Sequence, residues 1–373
     1  MSADRVDVFD VVVVGCGAAG SATAWHCARR GRSVLAVDRF EPGHRRGSSH
    51  GTERIVRLGH TDPAYVRFAL DALDGWGELE RAAGVPLLSR TGAIDTGFAE
   101  ELDEIEQCTT AVGVAMERFD AVDAQRRYPG MRFDGDVLFH ADGGTVHADR
   151  AVSVLRRLAV QHGATLQAVT EVTRVEQTDA GVVVHLGDRT VRAGVAVVTT
   201  GAWAPSLLAG VVDLPGYRVT KEQLAFFRPR GQFAWPTFID RAKLRHYGMT
   251  TPEGLVKVGE HHTGPVVHPD HRTYEVEPTS WQRLQEWAAA NLPGVDPTPV
   301  DASTCLYAST PTEDFVLDRI GDILVGVGLS GHGFKFVPEI GRRLADLADD
   351  TGWHDNPFAL HAAPHHFGAS GHK

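Results

Sequence analysis

The chain has 373 residues, 43% of them hydrophobic and 23% charged, the make-up of an ordinary folded protein and not of a disordered or fibrous one. A formal net charge of -11 argues against nucleic acid as a partner. No apolar run approaches the ~20 residues that span a bilayer, so no membrane partner is expected. Met1–Asp10 is acidic and lacks the apolar stretch of a signal peptide, and the closing Gly-His-Lys is no peroxisomal address; a cytoplasmic protein is expected. The length suggests two domains. Cys16, Cys27, Cys108 and Cys305 show no C-x-x-C spacing and call for no disulfides.

In chain order, Val11–Val14 is β-branched throughout, which suits a strand buried on both faces. Gly15-Cys16-Gly17-Ala18-Ala19-Gly20 follows, then a predicted helix from Ala18 to Arg30 with Gly31 as its cap, then a second strand ending at Asp38. Gly15 permits the tight turn, Gly17 lets backbone approach a pyrophosphate, and Gly20 lets helix and strand pack closely. The helix N-terminus turns unpaired N–H groups toward phosphate, and Asp38 lies where an acid can bind ribose hydroxyls. Strand, glycines, helix, strand and acid in register indicate a dinucleotide fold, with FAD as admissible as NAD. The loop Arg39–Arg57 is polar and glycine-punctuated; Arg45, Arg46, Arg54 and Arg57 are either solvated charge or partners for anions of cofactor or substrate.

Asp62-Pro63 opens a helix with an apolar stripe through Val66, Leu70, Leu73, Trp76 and Leu79, and Gly84 ends it. A strand is predicted over Thr91–Thr96, helices over Glu100–Val112 and Arg150–His162, and a hairpin over Val169–Gln177 and Gly181–Leu186. Val191–Thr200, ending in Gly201-Ala202-Trp203, reads as a buried strand that returns the chain to the dinucleotide sheet. Gln223–Phe227, Thr237–Asp240, Arg245–Met249, Leu255–Gly259 and Thr273–Glu277 read as strands of a mainly antiparallel second domain. Thr279 or Ser280 caps a helix over Trp281–Asn291. Ile323–Gly328 is a second glycine-ended buried strand, followed by Gly331-His332-Gly333 and a helix over Val337–Ala348. The positive end of that helix suits a ring that becomes anionic on reduction, which favours flavin over nicotinamide. Lys335, a cation in the first turn, makes sense if it reaches a carboxylate; the plain alternative is a surface lysine. Among the histidines, His261, His262, His268 and His271, and His361, His365 and His366, lack the spacing of a familiar zinc site, so no metal is expected.

Gly15-x-Gly17-x-x-Gly20, Gly47-Ser-Ser-His50-Gly-Thr-Glu-Arg54-Ile-Val-Arg57, Gly201-Ala-Trp203, Lys257-Val-Gly259-Glu-His261, Cys305-Leu-Tyr307 and Gly331-His-Gly-Phe-Lys335-Phe336 occur in one order along the chain. In that order the chain resembles the monomeric sarcosine oxidase and N-methyltryptophan oxidase family, from about residue 8 to residue 350. The resemblance implies an α/β (α+β) protein: a Rossmann-like FAD-binding domain over 1–84, 145–215 and 300–373, and an antiparallel-sheet substrate domain over 85–144 and 216–299. It implies oxidation of a secondary amino acid to an imine, with O₂ reduced to H₂O₂, by a monomer that carries FAD on a cysteine thioether. Cys305 would be that cysteine and Lys257 the cation promoting O₂ reduction. Arg57 and Lys335 would hold the substrate carboxylate, His261 would line the substrate pocket, and Arg54 would lie near the ring. Gly15, Gly17, Gly20, Asp38, Arg39, His44, Ser48, Gly201, Trp203, Gly331, His332, Gly333 and Lys335 would contact FAD.

The chain departs from that pattern at Ser49-His50, at Thr52-Glu53 and at Leu58-Gly59-His60, where His60 in place of tyrosine is expected to alter the substrate wall. That change argues against sarcosine itself as the expected substrate and leaves a larger or cyclic secondary amino acid, or another N-methyl amino acid, as equal alternatives. Other readings are a dehydrogenase that passes electrons to a partner, a non-catalytic FAD-binding protein and an NAD enzyme. Arg57, Lys257 and Lys335 argue against the non-catalytic one.

Overall fold

The computed structural model describes residues 7–242 and 245–362. Val8–Val14, flanked in parallel by Val34–Val37 and Arg189–Val198, forms the centre of an eight-stranded sheet. Val11–Val14 are at most 3% exposed, as a strand covered on both faces requires. Arg189–Val198 is long enough to serve two neighbours along one edge. Its first half pairs with Gly181–Leu186, and Ala196–Val198 pair in parallel with Ile323–Val325. The two glycine-ended strands predicted from sequence thus lie side by side.

Helices Ala18–Arg29, Pro63–Ala83, Ala148–Gln161 and Val337–Ala348 pack with this sheet into one apolar core that buries Trp25 and Trp76. Close approach is built in by glycine. A Cβ on Gly20 would lie 1.9 Å from the Gly15 carbonyl oxygen, and one on Gly341 2.5 Å from the Ala22 Cβ. The long second helix has the ends its sequence implies: Asp62 accepts from the Ala64 N–H at 2.6 Å, and Gly84 closes it at φ +67°.

The second eight-stranded sheet runs in the order Asp301–Ser309, Arg218–Phe227, Val256–Glu260, His246–Thr250, Thr237–Asp240, Ala93–Thr96, Val137–His140, Glu117–Phe119. It is antiparallel except where Thr237–Asp240 runs parallel to Ala93–Thr96. Asp301–Ser309 falls on the FAD-binding side of the boundary expected at residue 300, yet it pairs with Arg218–Phe227 along nine residues, from Arg218↔Ser309 to Phe226↔Asp301. A small third sheet joins Arg54–Val56 to Gly144–Val146 and Leu88–Ser89.

One predicted strand is absent: Thr273–Glu277 is irregular. The buried ammonium of Lys221 takes the place of a neighbouring strand, donating to Thr273 Oγ1 at 3.2 Å, the Glu275 carbonyl at 3.0 Å and Glu277 Oε1 at 2.7 Å. The following helix starts earlier than predicted, at Pro278 after Glu277, because proline at the first position needs no N–H partner. Among the described residues no helix is long and apolar enough to cross a membrane. His365 and His366 lie outside the described residues.

Candidate active site

A cleft of about 1530 Å³ opens between the two large sheets and takes in residues from every motif named above. Gly15 turns the chain at φ +92°, and a Cβ there would meet the Thr199 carbonyl at 2.8 Å, so only glycine fits the crossing of the two parallel strands. Gly17 faces the cleft, with Ser49 Oγ 3.0 Å from where its Cβ would stand. That hydroxyl accepts the Ala18 N–H at the helix N-terminus, at 3.0 Å. Gly20 is not part of the lining; it serves the packing of helix on strand.

Asp38 lines the cleft and is pinned by the backbone N–H groups of Cys16 (2.8 Å) and Phe40 (2.9 Å), leaving lone pairs to accept from a ligand. His44 Nε2 lies 3.8 Å from Asp38 and Arg156 Nη2 3.7 Å. Arg39 and Trp203 meet on one acid absent from the sequence reading: Asp270 Oδ1 accepts from Arg39 Nη1 at 3.0 Å and from Trp203 Nε1 at 2.8 Å. The Tyr217 hydroxyl donates to the Gly201 carbonyl at 2.9 Å and accepts the Gly328 N–H at 3.2 Å, tying together the ends of the two glycine-ended strands.

Cys305 comes from the edge strand of the second sheet and lines the cleft. Burial pushes its thiol up, while Arg54 and Lys257 pull it back down. Ser48 donates to the Leu306 carbonyl at 2.6 Å, and Arg272 reaches Thr304 Oγ1 at 3.3 Å and the Arg45 carbonyl at 2.9 Å, so the arginine loop is clamped to the cysteine strand. Tyr307, two residues on, covers Gly331: a Cβ there would lie 2.2 Å from its ring. Cys305-Leu-Tyr307 and Gly331-His-Gly333 are therefore one packed unit. A Cβ on Gly333 would strike Leu329 at 2.6 Å. His332 lines the cleft, stacks on Phe315 at 4.7 Å between ring centroids, and has Nε2 3.1 Å from the Glu313 carbonyl.

The predicted cations Arg54, Arg57, Lys257 and Lys335 all lie on the cleft wall. Arg54 donates to the Glu53 carbonyl at 2.8 Å, to the Ser48 carbonyl at 3.0 Å and to the His50 carbonyl, so it organises its own loop; its guanidinium also lies 5.7 Å from the centre of the Phe334 ring. Lys257 is 5% exposed, and its Nζ lies 2.9 Å from Oε1 of the equally buried Glu53. Arg57 is half-buried, with its side chain 13% exposed and Nη1 3.8 Å from Asp95, and desolvation pushes its guanidinium down to about 10. Asp95 is shared with Arg241, whose Nε donates to it at 3.0 Å, so Arg57 holds only part of one carboxylate's charge. Lys335 is 6% exposed and donates to the His332 carbonyl at 2.8 Å, and among the described residues no carboxylate pairs with it. Burial, then Arg57 and Arg241, push its ammonium well down. An anion entering between Arg57 and Lys335 would relieve both.

His261 lines the cleft, held neutral by burial that lowers it to about 4; its Nε2 lies 3.7 Å from Glu313. His262 Nε2 lies 3.4 Å from the other Glu313 oxygen, and the donor atoms of the three residues all stand within 4.8 Å of one another. Reading single spacings could not have paired these histidines with an acid about fifty positions away. His60 is a correction: it does not line the cleft but is buried, stacked on Tyr65 at 5.7 Å and tilted against Phe336 at 5.6 Å between ring centroids, so it shapes the core behind the site. Glu53, Asp95, Arg241, Tyr217, Asp270 and Glu313 were not read from the sequence as site residues; of these only Glu53 carried a signal, as a departure inside a quoted motif.

The glycine turn, the helix N-terminus, the pinned Asp38 and the volume of the cleft suit a dinucleotide, and the basic wall beyond Cys305 suits a flavin with an anionic substrate. Comparisons with known proteins agree. Residues 10–347 match the family of FAD dependent oxidoreductases (DAO). The chain is 34% identical to a monomeric sarcosine oxidase of Streptomyces avermitilis, over 94% of this chain and 96% of that protein. It is 28% identical to an N-methyl-L-tryptophan oxidase of Salmonella arizonae, over 91% and 94%. Among solved structures it is similar to NikD, described as an unusual amino acid oxidase essential for nikkomycin biosynthesis, with a TM-score of 0.83 and 30% identity over 96% of this chain and 100% of that one. The fold, the cleft and the sequence together make this chain a member of the FAD dependent oxidoreductase family.

Proposed function

We propose that the protein is a FAD-dependent oxidase of N-methyl or cyclic secondary amino acids, with FAD bound through Cys305 and O₂ as the acceptor. The observation that carries this reading is the convergence of Arg57, Lys257, His261, Cys305 and Lys335, from distant stretches of chain, on the cleft that also contains the glycine turn. The sarcosine and N-methyltryptophan oxidases among its relatives support the substrate class.

Bound FAD supplies a two-electron acceptor. Gly15, Gly17, Asp38, Arg39, His44, Ser48, Gly201 and Trp203 would hold its dinucleotide part, and Gly331, His332 and Gly333, with Cys305 and Lys335, its ring. Arg57 and Lys335 fix the substrate carboxylate, and this two-point grip orients the C–H beside the amine. His261, kept neutral in its half-buried setting, forms a hydrogen-bonding wall and not a further cation. The substrate CH–NH loses two electrons and two protons to become C=N, and O₂ takes up both to become H₂O₂; water then hydrolyses the imine. The ammonium of Lys257, with Arg54 close by, stabilises the negative charge that develops as O₂ is reduced. We assign the dinucleotide sheet to an FAD-binding domain and the second sheet, with Asp301–Ser309 moved into it, to a substrate domain in a cytoplasmic monomer.

The test is a panel of N-methyl and cyclic amino acids given to the purified protein. Loss of flavin absorption without air, and stoichiometric H₂O₂ in air, are expected for at least one. Bleaching without H₂O₂, and turnover only with an artificial acceptor, would replace the oxidase by a dehydrogenase. Protein without flavin absorption would refute the whole reading.

A further inference from the structure

Lys257 does not face the cleft as a bare cation. Its Nζ lies 2.9 Å from Glu53 Oε1 and 3.4 Å from the Glu53 carbonyl oxygen, and both side chains line the cleft. Glu53 is held from its other side by the Thr52 hydroxyl. The charges facing Lys257 are Glu53 and Arg54, with His50, from the arginine loop, and Cys305 from the edge strand. Its strand neighbours, Phe226 and Met249, offer only apolar surface. Among the described residues, Glu53 is thus the one anionic side chain in contact with the Lys257 ammonium, whose other strongly charged neighbour is a guanidinium.

We infer that Glu53 is a positioning residue for Lys257: its carboxylate keeps the ammonium charged and aimed into the cleft, and so sets the pH range over which O₂ is reduced. The inference rests on the O₂ role proposed for Lys257. The physics has a definite sign. Burial and Arg54 both disfavour the charged lysine, and Glu53 opposes them. Without the carboxylate charge, the proton affinity of Lys257 falls and the ammonium is lost at a lower pH. Neighbouring Arg54 is held to its own loop by the Ser48, His50 and Glu53 carbonyls.

The experiment uses holoenzyme reduced with dithionite, so that no substrate is needed, and follows reoxidation by O₂ from acid to alkaline pH. Glu53→Gln is expected to fall about tenfold in rate per pH unit above a new, lower midpoint and to return toward wild type in acid. Glu53→Asp should lie between the two. A second readout is thermal unfolding without turnover: Lys257→Met strands a buried carboxylate and lowers the midpoint, and adding Glu53→Gln should restore part of that loss. If Lys257→Met reoxidises as fast as wild type, the O₂ role of Lys257 falls and the inference falls with it. If Lys257→Met is slow but Glu53→Gln follows the wild-type profile, or is faster at every pH, only the inference falls.

Discussion

The indole N–H of Trp76 donates to the backbone carbonyl of Lys335 at 2.8 Å, which links the buried stripe of the second helix to one of the two cations proposed to hold the substrate. Trp76 also stacks on Phe334 at 6.1 Å between ring centroids. Core and site are joined at this bond. Trp76→Phe keeps most of the ring contact and leaves the Lys335 carbonyl without its indole donor, which costs about 1–3 kcal/mol at a buried site. A lower unfolding midpoint is expected, together with a raised KM for amino acid substrates and little change in kcat. A changed kcat at constant KM would argue against a positioning role.

Half-buried Arg57 and buried Lys335 have less than a full counter-charge between them. Lys335→Ala and Arg57→Met should each raise KM for a carboxylate-bearing amine by about 10- to 100-fold, the size of a lost charged hydrogen bond of about 1.5–3 kcal/mol. The same variants should treat an amine that lacks a carboxylate as wild type does. Equal losses on both compounds would remove carboxylate binding from their role.

Cys305 lies in the cleft with Arg54 and Lys257 near enough to favour its thiolate against the cost of burial. Acid denaturation of wild-type protein should give a yellow pellet, and of Cys305→Ser a colourless pellet under a yellow supernatant. A yellow supernatant from wild type would leave FAD bound but not attached.

Acid should destabilise the fold through histidines that are buried uncharged. Burial, with Arg29 and Arg30 nearby, lowers His26 to about 3, and burial lowers His140 to about 4. Unfolded histidine titrates near 6.5, so between that value and the lowered one the unfolded chain binds more protons. Stability is therefore expected to decline as pH falls through this window, by as much as ~1.4 kcal/mol per pH unit for each such group. His26→Gln should lose less thermal stability between pH 7 and pH 5 than wild type. An unchanged slope would show that His26 does not contribute.

Much of the architecture was legible because it is local. Four valines before a glycine turn can bury both faces of a strand, Asp62-Pro63 with Gly84 brackets a helix, and Gly331 at φ +78° marks a turn closed to most side chains. Quoted motifs that lie far apart do line one cleft. Pairing across long separations was not legible. Lys257 lay in a predicted strand with no partner visible until the fold brought Glu53 to it from 204 positions away, and Thr273–Glu277 read as a strand although Lys221 satisfies it instead. His60 occupied a motif position and turned out to be core. Hydrophobic period, turn residues and helix ends depend on neighbours a few residues away, so the sequence by itself determined the elements and the dinucleotide turn. Which charge faces which depends on where a carboxylate from one loop meets an ammonium from another strand. Only tertiary structure decided that, because the free energy of a buried charge is set by the few ångströms around it.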